Sequence, residues 1–325
     1  MARFVRPVFW LVSVALLGAL VAGFTACGTV SGDPPSVPAA SPAQDACTVP
    51  AAPSTFNEQF LIAGDVVESN TFFVYKLDQQ TGVPTAMPWS PMLLDGFVMS
   101  ETVDASGDYL YLGLGIGLTS NALETFQFPR DGSAPARLDS QPVMADRLAF
   151  DPQQRYLYAL KQANLTNSPN PADNAALSIF RIDPSHVPHD TNQTIMLSER
   201  APSFGFKDQG RVVVVSREHQ TYGNTGIAVL NRDCKTGRVV PASETPILRS
   251  LFLAVPSVGN GILAYRLCCD PNAPTGAQLS RYDPSNQSVA AVSNGTLLDT
   301  FEAAVDHASD FVVTYAAEHP NQPGP

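Results

Sequence analysis

Apolar and polar positions along residues 56–325 alternate mostly with a period of two, and runs with helical spacing are nearly absent after the N-terminus. The alternation is built from a short recurring phrase: a strand end, a tight polar turn, then a strand of aromatic and aliphatic residues. Asp151-Pro152-Gln153-Gln154-Arg155-Tyr156-Leu157-Tyr158-Ala159-Leu160 is the fullest copy. Asp104-Ala105-Ser106-Gly107-Asp108-Tyr109-Leu110-Tyr111 repeats it, and Lys207-Asp208-Gln209-Gly210-Arg211 leads into Val212–Val215 in the same way. Weaker copies begin near Val258 and Asp306, so the steps are roughly 47, 56, 50 and 49 residues. A second phrase keeps step with the first. Short alternating strands end at Asp78, Asp131, Asp183, Asp233 and Asp283, each beside a Gly or Pro that favours a turn.

A period near 50 residues holding several strands predicts an all-β fold, a β-propeller of about six four-stranded blades, with five to seven as the bounds. The chain enters and leaves the pattern partway through a unit. Strands from both ends are therefore expected to complete one blade and close the ring, which removes exposed sheet edges. The scarcity of helical spacing argues against an α/β enzyme fold.

Residues 1–26 have the form of a targeting segment: Arg3 and Arg6, then an apolar run from Phe9 to Phe24, then Thr25-Ala26-Cys27. Small residues before a cysteine are the mark of a bacterial lipoprotein signal peptide, and Cys27 is the expected lipidation site. A secretory signal cut elsewhere and an uncleaved anchor are the alternatives. Gly28 after the cysteine points to the outer membrane, facing the periplasm or the exterior. Residues 27–55 hold Pro34, Pro35, Pro38, Pro42, Pro50 and Pro53 among small residues and read as a flexible linker. Residues 56–325 read as one domain.

The formal charge is −11; losing Arg3 and Arg6 with the signal takes it to −13. A basic nucleic-acid footprint is absent, so no nucleic-acid partner is expected. With Cys27 acylated, Cys47, Cys234, Cys268 and Cys269 remain, and an exported chain with an even number of thiols is expected to form disulfides. Cys234 and the Cys268/Cys269 pair follow strands of consecutive units, so Cys234 is expected to pair with one of them. No His stands at zinc-ligand spacing from these cysteines.

Val74-Tyr75-Lys76-Leu77-Asp78-Gln79-Gln80-Thr81-Gly82, Leu148-Ala149-Phe150-Asp151-Pro152 with Tyr156-Leu157-Tyr158, and Ser178-Ile179-Phe180-Arg181-Ile182-Asp183-Pro184 resemble the phrases of the bacterial lactonase-type, YVTN-like repeat propellers. The resemblance implies the fold over most of residues 56–316. That family contains sugar-lactone hydrolases, a cycloisomerase and many binding proteins. Its lactone-opening members use His, Arg and Glu at the mouth of the ring, and no such signature can be matched here. Ser100, Arg147, Ser203, Leu253 and Glu302 share one position of the innermost strand and are expected to approach the central channel. Arg147 and Glu302, with Glu101, Asp146 and His307, are the weak candidates for acid–base chemistry there. The plainer reading is that they cap strand ends or pair with each other. His186 and His189 flank Val187-Pro188 in a loop where a metal is conceivable, although a solvated loop is the plainer reading. Asp104–Asp108 lacks the alternating oxygen ligands of a calcium loop. Gly113-Leu114-Gly115-Ile116-Gly117 has no helix after it, which removes a dinucleotide reading. No cofactor or metal is expected. Two functions stand: a binding or scaffolding module for an unknown protein or small-molecule ligand, displayed on loops such as Gln162–Asn174, or a lactonase-type hydrolase or isomerase with its site in the channel.

Overall fold

A computed structural model describes residues 47–49, 59–64, 70–78, 80–116, 120–162, 174–197, 201, 203–219, 224–247, 252–255, 261–265, 278–286, 288–294, 302–305 and 312–315. They form antiparallel sheets in strict chain order. Blade 1 holds β1 (Gln59–Gly64), β2 (Thr71–Leu77), β3 (Pro84–Ala86) and β4 (Met92–Leu93), with β3 and β4 sharing one edge of β2. Blade 2 holds β5 (Phe97–Val103), β6 (Tyr109–Ile116), β7 (Ser120–Gln127) and β8 (Ala136–Gln141). Blade 3 holds β9 (Arg147–Phe150), β10 (Tyr156–Lys161), β11 (Ala176–Ile182) and β12 (Pro188–Met196). Blade 4 holds β13 (Phe204–Lys207), β14 (Val212–His219), β15 (Asn224–Arg232) and β16 (Val239–Ile247). Blade 5 holds β17 (Phe252–Ala254), β18 (Gly261–Tyr265), β19 (Gln278–Asp283) and β20 (Ser288–Asn294); β21 (Glu302–Val305) and β22 (Val312–Tyr315) form a two-stranded sixth sheet. The first strands of successive blades lie against each other, β5 on β9, β13 on β17 and β17 on β21, as the inner strands of a propeller do.

Burial explains the pattern. In β10, Tyr156, Tyr158 and Leu160 pack with Phe206, Val213 and Val215 of blade 4, while Leu157 and Ala159 pack with Tyr111 and Leu123 of blade 2. Both faces of such a strand are covered, so it is a continuous apolar run. The outer strands β8 and β12 have one wet face and alternate instead. Each central strand thus belongs to two interblade cores, the propeller's repeated unit of stabilisation.

Among the described residues β1 opens the first sheet by pairing with β2, and β22 pairs with β21. One expectation needs revision. Cys234 is bonded to Cys47, with Cα atoms 5.2 Å apart across 187 residues of chain, and not to Cys268 or Cys269, which lie outside the described residues. The reason is the direction in which the Cys234 turn faces. That turn, between β15 and β16, packs back on blade 3, where Arg155 Nη2 and Tyr156 Oη donate to its Cys234 and Lys235 carbonyls and where the Cys47 stretch passes. Cys47 is itself buried, and its carbonyl accepts from Gln153 Nε2 at 2.9 Å. Within the stretch read as a flexible linker, the chain is therefore fastened to the propeller at this point.

Candidate functional site

The inner strands carry the channel candidates. Ser100 Oγ donates to the Ala145 carbonyl at 2.6 Å, so β5 and β9 run side by side. Glu101 follows the first residue, and Asp146 and Arg147 the second, which brings these three to one level of the fold. Asp146 is buried, and its Oδ2 accepts the Gln162 amide at 2.6 Å. Burial pushes its carboxyl above the ordinary range, opposed by that amide and by the charges of Arg147 and Lys161. Glu101, Arg147 and Lys161 are engaged as well. Glu302 starts β21 opposite Tyr315; its side chain, like all of His307, lies outside the described residues. Ser100, Ser203 and Leu253 are all buried, and Ser203 Oγ accepts the Leu253 amide at 2.8 Å, a stitch from blade 4 to blade 5 that matches the one from Ser100 to Ala145.

A second set of groups gathers where the turns of one blade meet the next. At the junction of blades 3 and 4, Arg232 ends β15 and its guanidinium is fully buried against Asp151 Oδ2. Nε donates to Tyr158 Oη at 2.7 Å, and Nη1 donates to Gln153 Oε1 at 2.8 Å and the Gly210 carbonyl at 2.9 Å. Tyr156, Tyr158 and Phe206 surround the cation, with ring centroids 5.7–5.9 Å from Cζ. Gly210, at φ +85°, has no room for a side chain, because a Cβ there would lie 3.0 Å from Arg232 Nη1 and 2.8 Å from Pro152. The Cys47–Cys234 disulfide closes the outer side of this junction. No signal in the sequence as read pointed to Arg232, which looks like a solvated charge at a strand end. Lining up the repeats would have exposed it, since Phe128, Ile182 and Tyr282 hold the corresponding position before the turn.

The junction of blades 2 and 3 is built from the same parts and left open. Asp104 takes the place of Asp151: its amide donates to the Tyr109 carbonyl and its Oδ1 accepts the Tyr109 amide, as Asp151 does with Tyr156. Tyr111 stands in for Tyr158, and the Tyr111–Phe150 edge contact, 5.0 Å between centroids, repeats the Tyr158–Phe206 contact at 5.1 Å. Tyr111 Oη donates to the His186 carbonyl, as Tyr158 Oη does to the Gly237 carbonyl. The Ile182 amide donates to the Arg155 carbonyl as the Arg232 amide does to that of Arg211, so Ile182 occupies the arginine's position. In place of a guanidinium there is a cleft of about 350 Å³, lined by Asp104, Tyr111, Phe150, Arg155, Ile182 and His186, among others. His186, at φ +63°, stacks on Tyr109 with ring centroids 3.6 Å apart, and its Nδ1 lies 3.8 Å from Asp104 Oδ2. It shares the left-handed backbone of Gly237 at the matching turn position, a conformation histidine adopts more readily than most side chains. His189 lies apart from it, 2.8 Å from Asp183 Oδ2, so each histidine of the pair noted in the sequence is used locally. Within its own turn Asp104 Oδ2 accepts from Ser106 Oγ at 2.7 Å, which uses one of that oxygen's two acceptor positions.

No protein-family model and no curated protein sequence matches the chain. Solved structures do. A putative 6-phosphogluconolactonase from Bacteroides uniformis aligns over 80% of this chain and 89% of its own at 11% identity, TM-score 0.50. The periplasmic gluconolactonase of Pseudomonas aeruginosa aligns over 79% and 75% at 13% identity, TM-score 0.57. The Swd1 β-propeller domain from Myceliophteria thermophila aligns over 77% and 77% at 9% identity, TM-score 0.51. At these identities the likeness shows the fold, a β-propeller of the kind found in lactonase-like proteins and in others.

Proposed function

We propose that this protein is a binding or scaffolding propeller of the bacterial envelope, tethered to the outer membrane through a lipid on Cys27. The observation that carries this reading is the use of Asp146. The buried carboxylate beside the inner strands holds the Gln162 amide, the first residue of the long Gln162–Asn174 loop. It is therefore engaged with the backbone where the Gln162–Asn174 stretch begins, of which residues 163–173 lie outside the described residues. The buried Cys47–Cys234 disulfide supports export to an oxidising compartment. Lactone hydrolysis is the second reading. Asp146 favours it in one respect, since a carboxyl raised by burial beside Arg147 is the kind of group that serves as a general acid.

An assay on a panel of sugar and aliphatic lactones decides between them, run with the full chain and with Arg147→Ala and Glu302→Ala. The expected result is no turnover above the uncatalysed rate in any of the three. Turnover that both substitutions abolish, in folded protein, transfers the function to the enzyme class. For the anchor, Cys27→Ser should release the protein from the membrane fraction or leave its precursor unprocessed; membrane retention with unchanged processing removes the lipid from the account.

A further inference from the structure

We propose that the cleft between blades 2 and 3 is a binding site for a guanidinium group. The inference rests on the binding reading above and adds its ligand chemistry. The molecule holds an internal precedent one junction away. There, a carboxylate, two tyrosines and a phenylalanine enclose the guanidinium of Arg232 with no space left over. Here a carboxylate (Asp104), a tyrosine (Tyr111) and a phenylalanine (Phe150) line the cleft in the corresponding places, Tyr109 lies behind the stacked His186 ring, and the neighbouring blade offers Ile182 where it could have offered the cation. Ile182 is shorter by the guanidinium and part of the stem, and the cleft lies where that head would be. An aromatic cage with one carboxylate is complementary to a delocalised cation.

The charges around the cleft fit this assignment. Arg155 holds the position that Arg211 holds beside Arg232, so a cation is accommodated next to that arginine once already. Arg155 is also turned to the Cys234 carbonyl, its Nη2 donating at 2.7 Å. Arg181 is exposed at the rim, and Asp183 at the same rim carries the opposite charge. His186, stacked on Tyr109 with its Nδ1 3.8 Å from Asp104 Oδ2, lines the cleft beside the carboxylate and offers a ring face against which a ligand would stack. The guanidinium could arrive free or on an arginine side chain; both present the same planar fork.

The probes are methylguanidinium, for the free form, and N-acetylarginine amide, for the side chain, titrated calorimetrically into the full-length protein, with benzoate as the anionic control. Both cations, or N-acetylarginine amide alone, should saturate one site, and benzoate should not. Saturation by methylguanidinium alone assigns the site to a free ligand. Asp104→Asn keeps the oxygen that accepts the Tyr109 amide and removes the charge; affinity should fall by at least about tenfold, as loss of a charged hydrogen-bond partner implies. Ile182→Arg supplies the missing side chain from within and should abolish binding while raising or preserving thermal stability. No saturable binding of either cation, unchanged affinity in Asp104→Asn, or saturation by benzoate would overturn the assignment. None of these outcomes touches the lactone assay, so the site and the function class fail independently.

Discussion

The two junctions on either side of blade 3 are near copies with opposite outcomes. Both begin from an aspartate-led turn and a Tyr-Leu-Tyr strand, and both receive the second turn of the following blade. At the 3/4 junction that turn brings Arg232, Gly237 and Cys234, and every polar group meets a partner: Tyr156 Oη donates to the Lys235 carbonyl, Tyr158 Oη to the Gly237 carbonyl, and Arg155 Nη2 to the Cys234 carbonyl. At the 2/3 junction it brings Ile182 and His186, and a cleft results. A glycine at 237 lets the Tyr156 ring close against the backbone, since a Cβ there would lie 2.6 Å from it. A histidine at the matching place adds a ring to the Tyr109 face instead. The difference teaches that this scaffold fills one junction and leaves another open by single substitutions at one repeat position. The repeat keeps the backbone fixed while the side chain before the turn decides whether a junction is filled or open.

The sharpest way to break the comparison is to unfill the closed junction. Arg232→Leu leaves Asp151 buried beside an apolar group, and removing one partner of a buried pair costs about 3–5 kcal/mol. Adding Asp151→Asn should recover a large part of that loss, because Asn retains the oxygen that accepts the Arg155 and Tyr156 amides. Denaturant unfolding of the single and double variants checks this. If the double variant is no more stable than the single, the cost came from lost packing and not from a stranded charge.

The strands and turns that frame these junctions were legible because their cause is local. Two-sided burial writes an apolar run into β10 and β14, and each tight turn calls for Asp with Gly or Pro. The junction chemistry was not legible, because it joins residues from different repeats: Asp151 and Arg232 stand 81 positions apart, and Cys47 and Cys234 stand 187 apart. Adjacency of consecutive units suggested a forward partner for Cys234, while the turn that carries it packs backward. The channel reading met a similar limit. The repeat alignment placed Ser100 on inner strand β5 and Ser203 just before β13, yet alignment says nothing about which way a hydroxyl points, and both bond the next blade's backbone.

A third junction extends the comparison. Lys207 holds in blade 4 the position that Asp104 and Asp151 hold in blades 2 and 3, and burial lowers its ammonium pKa to about 8 from 10.5. A lysine lowered in the folded state opposes folding fully below pH 8, and that opposition disappears as pH rises to 10.5. Stability from this group should therefore increase by about 2–3 kcal/mol across that window. The wild type should gain stability between pH 7.5 and 9.5 relative to Lys207→Met, in which the gain is absent. Parallel pH profiles for the two proteins would show that Lys207 is not desolvated as the fold requires.

The smallest effect gives the finest comparison, because it changes one oxygen at each junction. Tyr111 and Tyr158 donate from equivalent hydroxyls to equivalent turn carbonyls, at 2.9 and 2.7 Å. Tyr158 Oη also accepts from Arg232 Nε, a bond with no counterpart at Tyr111. Tyr111→Phe removes one neutral hydrogen bond beside a cleft that water can enter, a loss of about 1 kcal/mol. Tyr158→Phe removes that bond and also strands a buried guanidinium N–H, which should add about 1–2 kcal/mol. The closed junction should therefore lose more than the open one for the same chemical change. Equal losses would mean that water reaches Arg232, and the contrast between a filled and an open junction would then be one of shape alone. Binding gives an independent measure at the open side: with methylguanidinium present, Tyr111→Phe should forfeit part of the ligand-induced gain in thermal stability, while Tyr158→Phe should retain all of it.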